Sequence, residues 1–345
     1  MSFDKMRVLQ IGTGSMGTRR LRTLSKRHDV SLAVFDRRAD RREKAVKSFS
    51  IPIFEDIQSA LSWKPEAIVI STPPDNHDEY IELALQNGLH HFCEENIWTY
   101  DFQKVEEISK EKHLVSVVSC SFHFLPLIKE LKKLLRNELG DLHAYQMLLS
   151  TYMPTWHPEE GIEFYARHRH TAAAREMVPF ELVYLNDVFA PPAKVAGSVG
   201  YRGKLDNKSE DTWSLQMELI NGAYGQLTVL QGSPSLARKG SCLGTNGRID
   251  FNVVSGEIIV SINQTPDKTF NYGPQKEVLE ATYDEEINTF IETIQGKVEW
   301  PHSYYHSSVA TATLAASEKS SVTGRWETID PTIQPAHVPC DYKVS

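Results

Sequence analysis

The sequence predicts two α/β domains: a doubly wound parallel sheet over residues 1–122, then a domain built on a large, mostly antiparallel open sheet over residues 123–345. Three observations carry this reading. An apolar run (Val8, Leu9, Ile11) feeds into Gly12-x-Gly14-x-x-Gly17, and a helix-prone stretch then leads to a second apolar run ending on Asp36. Strand and helix signals keep alternating to about residue 122. Beyond it, longer alternating runs are separated by Asn-Gly and Ser-Gly turns, the grammar of antiparallel hairpins. The length of 345 residues suits two domains of about 100–200 residues each.

The glycine-rich turn bears the most chemistry. Gly12 permits a tight turn off the first strand, and Gly17 lets helix and strand pack closely. Gly14 lets the backbone approach an anionic diphosphate with no Cβ between them, while free amides at the helix start face the charge. Thr13, Ser15 and Met16 complete the turn. Asp36 follows about twenty residues later, where a carboxylate accepts hydrogen bonds from an adenosine ribose. The whole reads as a dinucleotide site. Asp36 favours NAD, because it would repel a 2′-phosphate. Arg37 beside it would offset that repulsion or stack on adenine, which keeps NADP open. The charges that follow (Arg38, Asp40, Arg41, Arg42) also suit a solvated helix start.

Residues 38–49 are charged and helix-prone. Ala67-Ile68-Val69-Ile70-Ser71 is a short apolar strand of the kind buried on both faces, and it stops at Thr72-Pro73-Pro74 because proline cannot donate to a ladder. Residues 76–87 read as a helix closed by Gly88, a strand ends at Phe92-Cys93, residues 102–112 are helical and 114–119 extended. The ligand crevice is expected at the carboxyl ends of the strands, where segments 12–17, 71–77 and 94–98 meet. His77 either faces that crevice or caps the helix without touching a coenzyme. His90 and His91 lie at a strand start and read as structural.

Residues 126–136 are amphipathic and helical, with Gly140 a plausible stop. Extended runs follow at 142–152, 193–201, 212–219, 226–231, 248–252 and 257–263. The polar segment 156–185 is partly helical, and helices close the chain at 284–296 and 303–324.

Composition narrows the function classes. A net charge of −8 argues against non-specific nucleic-acid binding, which needs a positive field. No stretch approaches the roughly twenty apolar residues of a membrane helix. The N-terminus lacks the basic-then-apolar build of a signal peptide. Cys93, Cys120, Cys242 and Cys340 are scattered, without zinc-type spacing, so no metal is expected and a reduced, cytoplasmic protein is.

Together these motifs resemble the Gfo/Idh/MocA family, the glucose–fructose oxidoreductase and inositol dehydrogenase group. Its carriers are Gly12-x-Gly14-x-x-Gly17, Ser71-Thr72-Pro73-Pro74-x-x-His77, His91-Phe92-Cys93-Glu94, Phe124-x-Pro126 and Gly140-x-Leu142. Asn221-Gly222-x-x-Gly225, Gly244-x-x-Gly247 and Trp300-Pro301 continue the series across almost the whole chain. The resemblance implies an NAD(P)-dependent oxidoreductase moving a hydride to or from a sugar, amino-sugar or nucleotide-sugar carbon. It also implies a homodimer or homotetramer formed through the second sheet. Residues 152–158, Phe164-Tyr165 and 174–182 are similar to members found among surface-glycan genes. By resemblance, Ser71, Thr72, Pro73, His77 and Glu94 line the nicotinamide half of the coenzyme site.

The family pattern breaks where chemistry is expected. Members carry Glu-Lys-Pro after the strand ending near Cys93, and the lysine helps move the substrate's hydroxyl proton. Here Glu94 keeps the glutamate, but Glu95 takes the lysine position and Asn96 the proline position. A lysine stabilises a developing alkoxide; a carboxylate repels it unless burial keeps it protonated. The family's glycine triplet, acid and histidine are replaced by Ala172-Ala173-Ala174-Arg175-Glu176 and Phe180-Glu181, and His123 replaces a common arginine. One reading is a rearranged dehydrogenase with Glu95, Glu176 and Glu181 as candidate carboxylates and Arg175 or a histidine polarising oxygen. The alternative is a catalytically silent dinucleotide-binding regulator or partner of a glycan pathway. A dinucleotide-dependent isomerase, epimerase or glycosidase is a third. Trp156, His157, Tyr165 and His170 are candidate substrate contacts, although Trp156 also suits core packing and the cluster Arg167–His170 a solvated loop.

Overall fold

The computed structural model describes residues 5–95, 101–156, 165–171, 173–203, 205 and 209–333. The chain divides into two compact units, one of Met1–Ser121 with Ala281–Tyr305 and the other of Phe122–Glu280 with His306–Ser345. Residues 281–305, which the division at 122/123 assigns to the second domain, pack with the first unit.

The first unit holds six strands, β1 (Met6–Ile11), β2 (Val30–Phe35), β3 (Ile53–Phe54), β4 (Ala67–Ile70), β5 (His90–Cys93) and β6 (Ser116–Val118). All pair in parallel, in the order β3-β2-β1-β4-β5-β6. Helices α1 (Ser15–Leu24), α2 (Ala39–Phe49), α3 (Ile57–Ser62), α4 (His77–Asn87) and α5 (Phe102–Glu111) make the crossovers. Alternation along each strand feeds two cores. Leu9, Ile11, Ile68 and Ile70 join one, while Val8, Val34, Ala67 and Val69 join the other. Burying such a side chain contributes about 1.5–3 kcal/mol, so these short apolar runs are stable only in the middle of a covered sheet. Ile287, Phe290, Ile291 and Trp300 complete the second core. That is why a segment so late in sequence returns here. The strand order reverses between β1 and β4, which opens the ligand crevice at their carboxyl ends.

The second unit carries α6 (Pro126–Leu134), β7 (Leu142–Tyr152), α7 (Ala173–Phe189), β8 (Pro192–Gly200), β9 (Thr212–Leu219), β10 (Tyr224–Leu230), β11 (Gly232–Gly244), β12 (Gly247–Asn252), β13 (Glu257–Ile262) and β14 (Lys268–Asn271). Helix α8 (Gln275–Ile294) begins in it and ends in the first unit; α9 (Tyr304–Thr323) and β15 (Glu327–Thr328) follow. The nine strands run β14-β13-β12-β11-β7-β10-β9-β8-β15, with β7 and β10 the one parallel pair among them. Trp213, Leu215, Met217, Leu227 and Val229 turn to the buried face, while Ser214, Gln216, Gln226 and Gln146 face outward. Helix α7 packs on the buried face through Phe189, whose ring stacks on Tyr145 with centroids 4.3 Å apart. Helix α9 lies close over β8, because a Cβ on Gly197 would come within 2.3 Å of the Ser317 carbonyl oxygen. The outer face is open, and a hollow of about 490 Å³ lies on it between Gln146, Gln226, Lys239 and Asp250.

Candidate active site

The glycine turn has the geometry that its spacing implies. Gly12 sits at φ +82°, and a Cβ there would lie 2.5 Å from the Ser71 carbonyl oxygen. A Cβ on Gly17 would lie 2.0 Å from the Gly12 carbonyl oxygen. Gly14, the residue capping α1, differs, since its missing Cβ meets nothing nearer than the Arg41 guanidinium at 3.5 Å. The first amides of α1 lie outside the helical ladder, and Gly14 has no side chain to cap them. Asp36, 5% exposed, fastens the turn to the end of β2: one carboxylate oxygen accepts from the Thr13 amide (2.7 Å) and hydroxyl (2.8 Å), the other from the Arg38 amide (2.9 Å). A carboxylate offers about four acceptor positions, so one on Oδ1 is left for a ribose hydroxyl. The amide nest, the space over Gly14 and that acceptor together fit the adenosine diphosphate half of a dinucleotide. Ser15 is engaged by Arg19, and Met16 completes the first turn of α1. Arg37 does not turn toward this cradle. It donates to Asn76 and Glu79, with its guanidinium 5.9 Å from the Tyr80 ring centroid.

Beside the cradle, Ser71, Thr72 and Pro73 are half-buried at the end of β4. His77 is buried, and its Nε2 stands 2.9 Å from the Thr72 carbonyl oxygen, so that nitrogen carries the proton and holds the loop. Of its two sequence readings, the holding role is the one with a visible bond. Asp78 is a residue that sequence reasoning passed over. Its Oδ1 is buried with no hydrogen-bond partner, and burial raises its carboxyl to about 6.

Glu94 is bound, not free. Arg20 grips it from α1, Ser71 donates to it at 3.1 Å, and the Arg20 guanidinium also bonds Glu286 at 2.7 Å and the Tyr283 carbonyl at 3.2 Å. Glu286 in turn accepts from the Ser119 hydroxyl (2.9 Å) and the Cys120 amide (2.7 Å). Burial works against the charge on Arg20, but the two glutamates outweigh it and hold its pKa above the usual range. For Glu286 burial wins, and its carboxyl is raised. Glu95 is 9% exposed just beyond β5. Burial raises the Cys93 thiol, and the charges of Glu94, Asp78 and Glu95 push it further. Asn96, Ile97 and Trp98 lie outside the described residues. His90 and His91 are structural: His90 accepts from the Val115 amide, and His91 bonds the Tyr304 hydroxyl at 2.6 Å.

In the second unit, α7 sorts the candidates by face. Arg175, Val178, Glu181 and Leu182 are buried, whereas Glu176, Met177 and Phe180 are half-exposed. Arg175 is bound to Glu318 of α9 at 2.7 and 3.1 Å, and Arg169 bridges Glu318 and Glu210. Glu181, 0% exposed, pairs with Arg238 at 2.9 Å and accepts from the Tyr184 hydroxyl. The Arg238 guanidinium lies 4.6 Å from the Phe122 ring centroid. These contacts correct the expectation of Arg175 and Glu181 as reacting groups, because both are spent on charge partners beneath the helix. Glu176 keeps a place on its accessible flank. Trp156 packs against Met153 and Ala166. His157 lies outside the described residues. Only the backbone of Tyr165 and His170 is described, in the short turns Tyr165–Arg167 and Arg169–Thr171. His123 stands 3.5 Å from Asp187, which also binds Lys132.

Residues 6–122 match the oxidoreductase family with an NAD-binding Rossmann fold, Gfo/Idh/MocA. Over these residues the chain is similar to that family's NAD-binding domain. Several solved structures share its fold over nearly the full length. An oxidoreductase from Agrobacterium radiobacter in complex with NAD+, L-tartaric acid and magnesium aligns with TM-score 0.82 at 15% identity, covering 94% of this chain and 98% of that one. A levoglucosan dehydrogenase in complex with NADH and levoglucosan aligns with TM-score 0.81 at 16% identity, covering 94% and 100%. The myo-inositol 2-dehydrogenase of Lactobacillus plantarum gives 0.80 at 15%, covering 95% and 100%. No curated protein matches the chain in sequence.

The buried charges are the residues that sequence reasoning missed. Arg20 carried one local signal, a charged residue between Gly17 and Leu21 on the stripe of α1 that faces the core. Glu286 and Arg238 carried none, because their partners are remote in sequence. Among the described residues no group of three His, Cys, Asp or Glu side chains is arranged to hold a metal ion, and no helix is long and apolar enough to cross a membrane.

Proposed function

We propose that the protein transfers a hydride between a nicotinamide coenzyme and a carbinol carbon of a sugar, amino sugar or nucleotide sugar. One observation carries this reading: Gly14 opens the amide end of α1 to a diphosphate while Asp36, locked by Thr13, keeps one acceptor for the ribose. Bound NAD would supply the hydride acceptor at C4 of its nicotinamide ring. Glu95, in the position of the family's lysine, exchanges the proton of the carbinol hydroxyl. Glu94, tied to Arg20 and Ser71, keeps the end of β5 in place beside it. Glu176 is the second candidate carboxylate, and Trp156, His157, Tyr165 and His170 are assigned to sugar recognition. Arg175 and Glu181 position α7. Solved relatives named for levoglucosan and myo-inositol support a sugar-class substrate. The open outer face of the second sheet suits a homodimer or homotetramer, and a cytoplasmic location fits the reduced cysteines.

The test is turnover. Purified protein is incubated with NAD or NADP and a panel of sugars, amino sugars and nucleotide sugars while reduced nicotinamide is followed by absorbance. Failure with every pair, in both directions, refutes the proposal. The acidic residue at the lysine position also favours a second reading, a dinucleotide-binding regulator or partner protein without chemistry. Glu95→Lys separates the two. A variant that gains turnover from an inert parent supports the silent reading; an active parent that loses turnover supports Glu95 as the proton carrier.

A further inference from the structure

Strand β15 is the edge of the nine-stranded sheet on the side of β8, and it is two residues long. It pairs with Val195 and Lys194, so among the described residues the rest of β8 has no neighbouring strand on that side. Residues 195–201 read Val-Ala-Gly-Ser-Val-Gly-Tyr, without a charge or a proline. An open edge offers its amides and carbonyls to another strand, and charge or proline is the usual local protection. Here a helix supplies it. The Gly197 amide donates to the Ser320 hydroxyl and the Val199 amide to the Ser321 hydroxyl, both at 3.0 Å. Amides on one side of a strand lie two residues apart, so these hydroxyls continue along the edge where β15 stops.

The two serines differ from their neighbours on α9. Thr311, Thr313 and Ser317 donate back to carbonyls of their own helix, the ordinary habit of such side chains. Ser320 instead accepts from β8 and donates to the Arg325 carbonyl oxygen (2.6 Å), tying the end of α9 to the chain that enters β15. Gly197 permits the approach, since a Cβ there would strike the Ser317 carbonyl oxygen at 2.3 Å. We infer that Ser320 and Ser321 seal the edge of β8 against strand addition by a second copy of this chain. A second copy is the occupant excluded, because an uncharged run meets its own antiparallel counterpart without like-charge repulsion. The inference is independent of the coenzyme reading.

The experiment follows size and amide protection together: light scattering after size-exclusion chromatography over a concentration series, and hydrogen exchange of the peptide spanning 193–201. Ser321→Ala should release the Val199 amide, and Ser320→Ala/Ser321→Ala the Gly197 amide as well. At low concentration each released amide should exchange about tenfold faster, the scale of one hydrogen bond. At high concentration protection should return as species larger than wild type appear. Ser198 is exposed on β8, so adding Ser198→Lys to the double variant puts a charge on the edge and should restore the wild-type size. Wild-type size at every concentration in both serine variants overturns the inference, whether or not stability falls. Larger species that persist with Ser198→Lys overturn it too. If the double variant does not fold, Ser321→Ala, with and without Ser198→Lys, decides by the same criteria.

Discussion

Arg20 holds Glu94 in a two-pronged ion pair, Nε to Oε1 at 2.9 Å and Nη2 to Oε2 at 3.0 Å, with Arg20 1% and Glu94 14% exposed. The same guanidinium bonds Glu286, so one side chain fastens the chain just beyond β4, β5 and β6 through Ser71, Glu94 and Cys120. Breaking a buried pair from one side strands the other charge. Arg20→Met is therefore expected to cost about 3–5 kcal/mol in urea denaturation. Arg20→Lys, which keeps the charge but not the fork, should lose less. An Arg20→Met variant as stable as wild type would show that the network contributes nothing to the strand ends.

The glycines divide by what surrounds them. Gly17→Ala would place a methyl 2.0 Å from the Gly12 carbonyl oxygen, so it should fold poorly, with a melting temperature several degrees lower. Gly14→Ala meets only the movable Arg41 guanidinium at 3.5 Å. It should melt with the parent yet bind NADH more weakly, because the methyl occupies the space of the diphosphate. Normal coenzyme affinity in Gly14→Ala would locate the diphosphate elsewhere.

Asp78 sets a pH dependence of defined sign. Burial raises its carboxyl from 3.8 to about 6, so the folded state binds this proton more tightly than the unfolded chain. The resulting stabilisation is complete below about pH 3.8 and is lost as pH rises through about 6. Asp78→Asn remains neutral throughout. It should exceed wild type at pH 8 by up to about 3 kcal/mol, the free-energy equivalent of the shift, and differ little near pH 4. Urea titrations at the two pH values measure the difference; a variant weaker at pH 8 would reveal a partner for the ionised carboxylate.

On α7, stability and chemistry should separate. Glu181→Gln leaves the Arg238 guanidinium uncompensated in the core and is expected to cost about 3–5 kcal/mol. Glu176→Gln, on the half-exposed flank, should cost less stability than Glu181→Gln. Its effect belongs in kcat, where a loss without a matching change in coenzyme KM supports its assigned role. Equal melting curves for the two variants would contradict the division of faces.

Local chemistry determined the first sheet, the dinucleotide turn and most hairpins. Apolar runs too short to be helices, glycines at fixed offsets and Asn-Gly turns each act within a few residues, so they are legible along the chain. Strand β11 was not legible. Its Gly-, Ser- and Pro-rich run Gly232–Gly244 lacks an apolar alternation and exists through pairing with β7 and β12, with a register shift between Gly232 and Ala237. Tertiary structure also decided the return of residues 281–305 to the first unit, because their apolar face finds its complement only on a sheet formed far upstream. It decided the candidate site in the same way. Sequence marked Glu94, Arg175 and Glu181 as polar groups in suggestive places, but a charge reveals whether it is reactive or structural only through the partner beside it. Those partners, Arg20, Glu318 and Arg238, are distant along the chain and close in space.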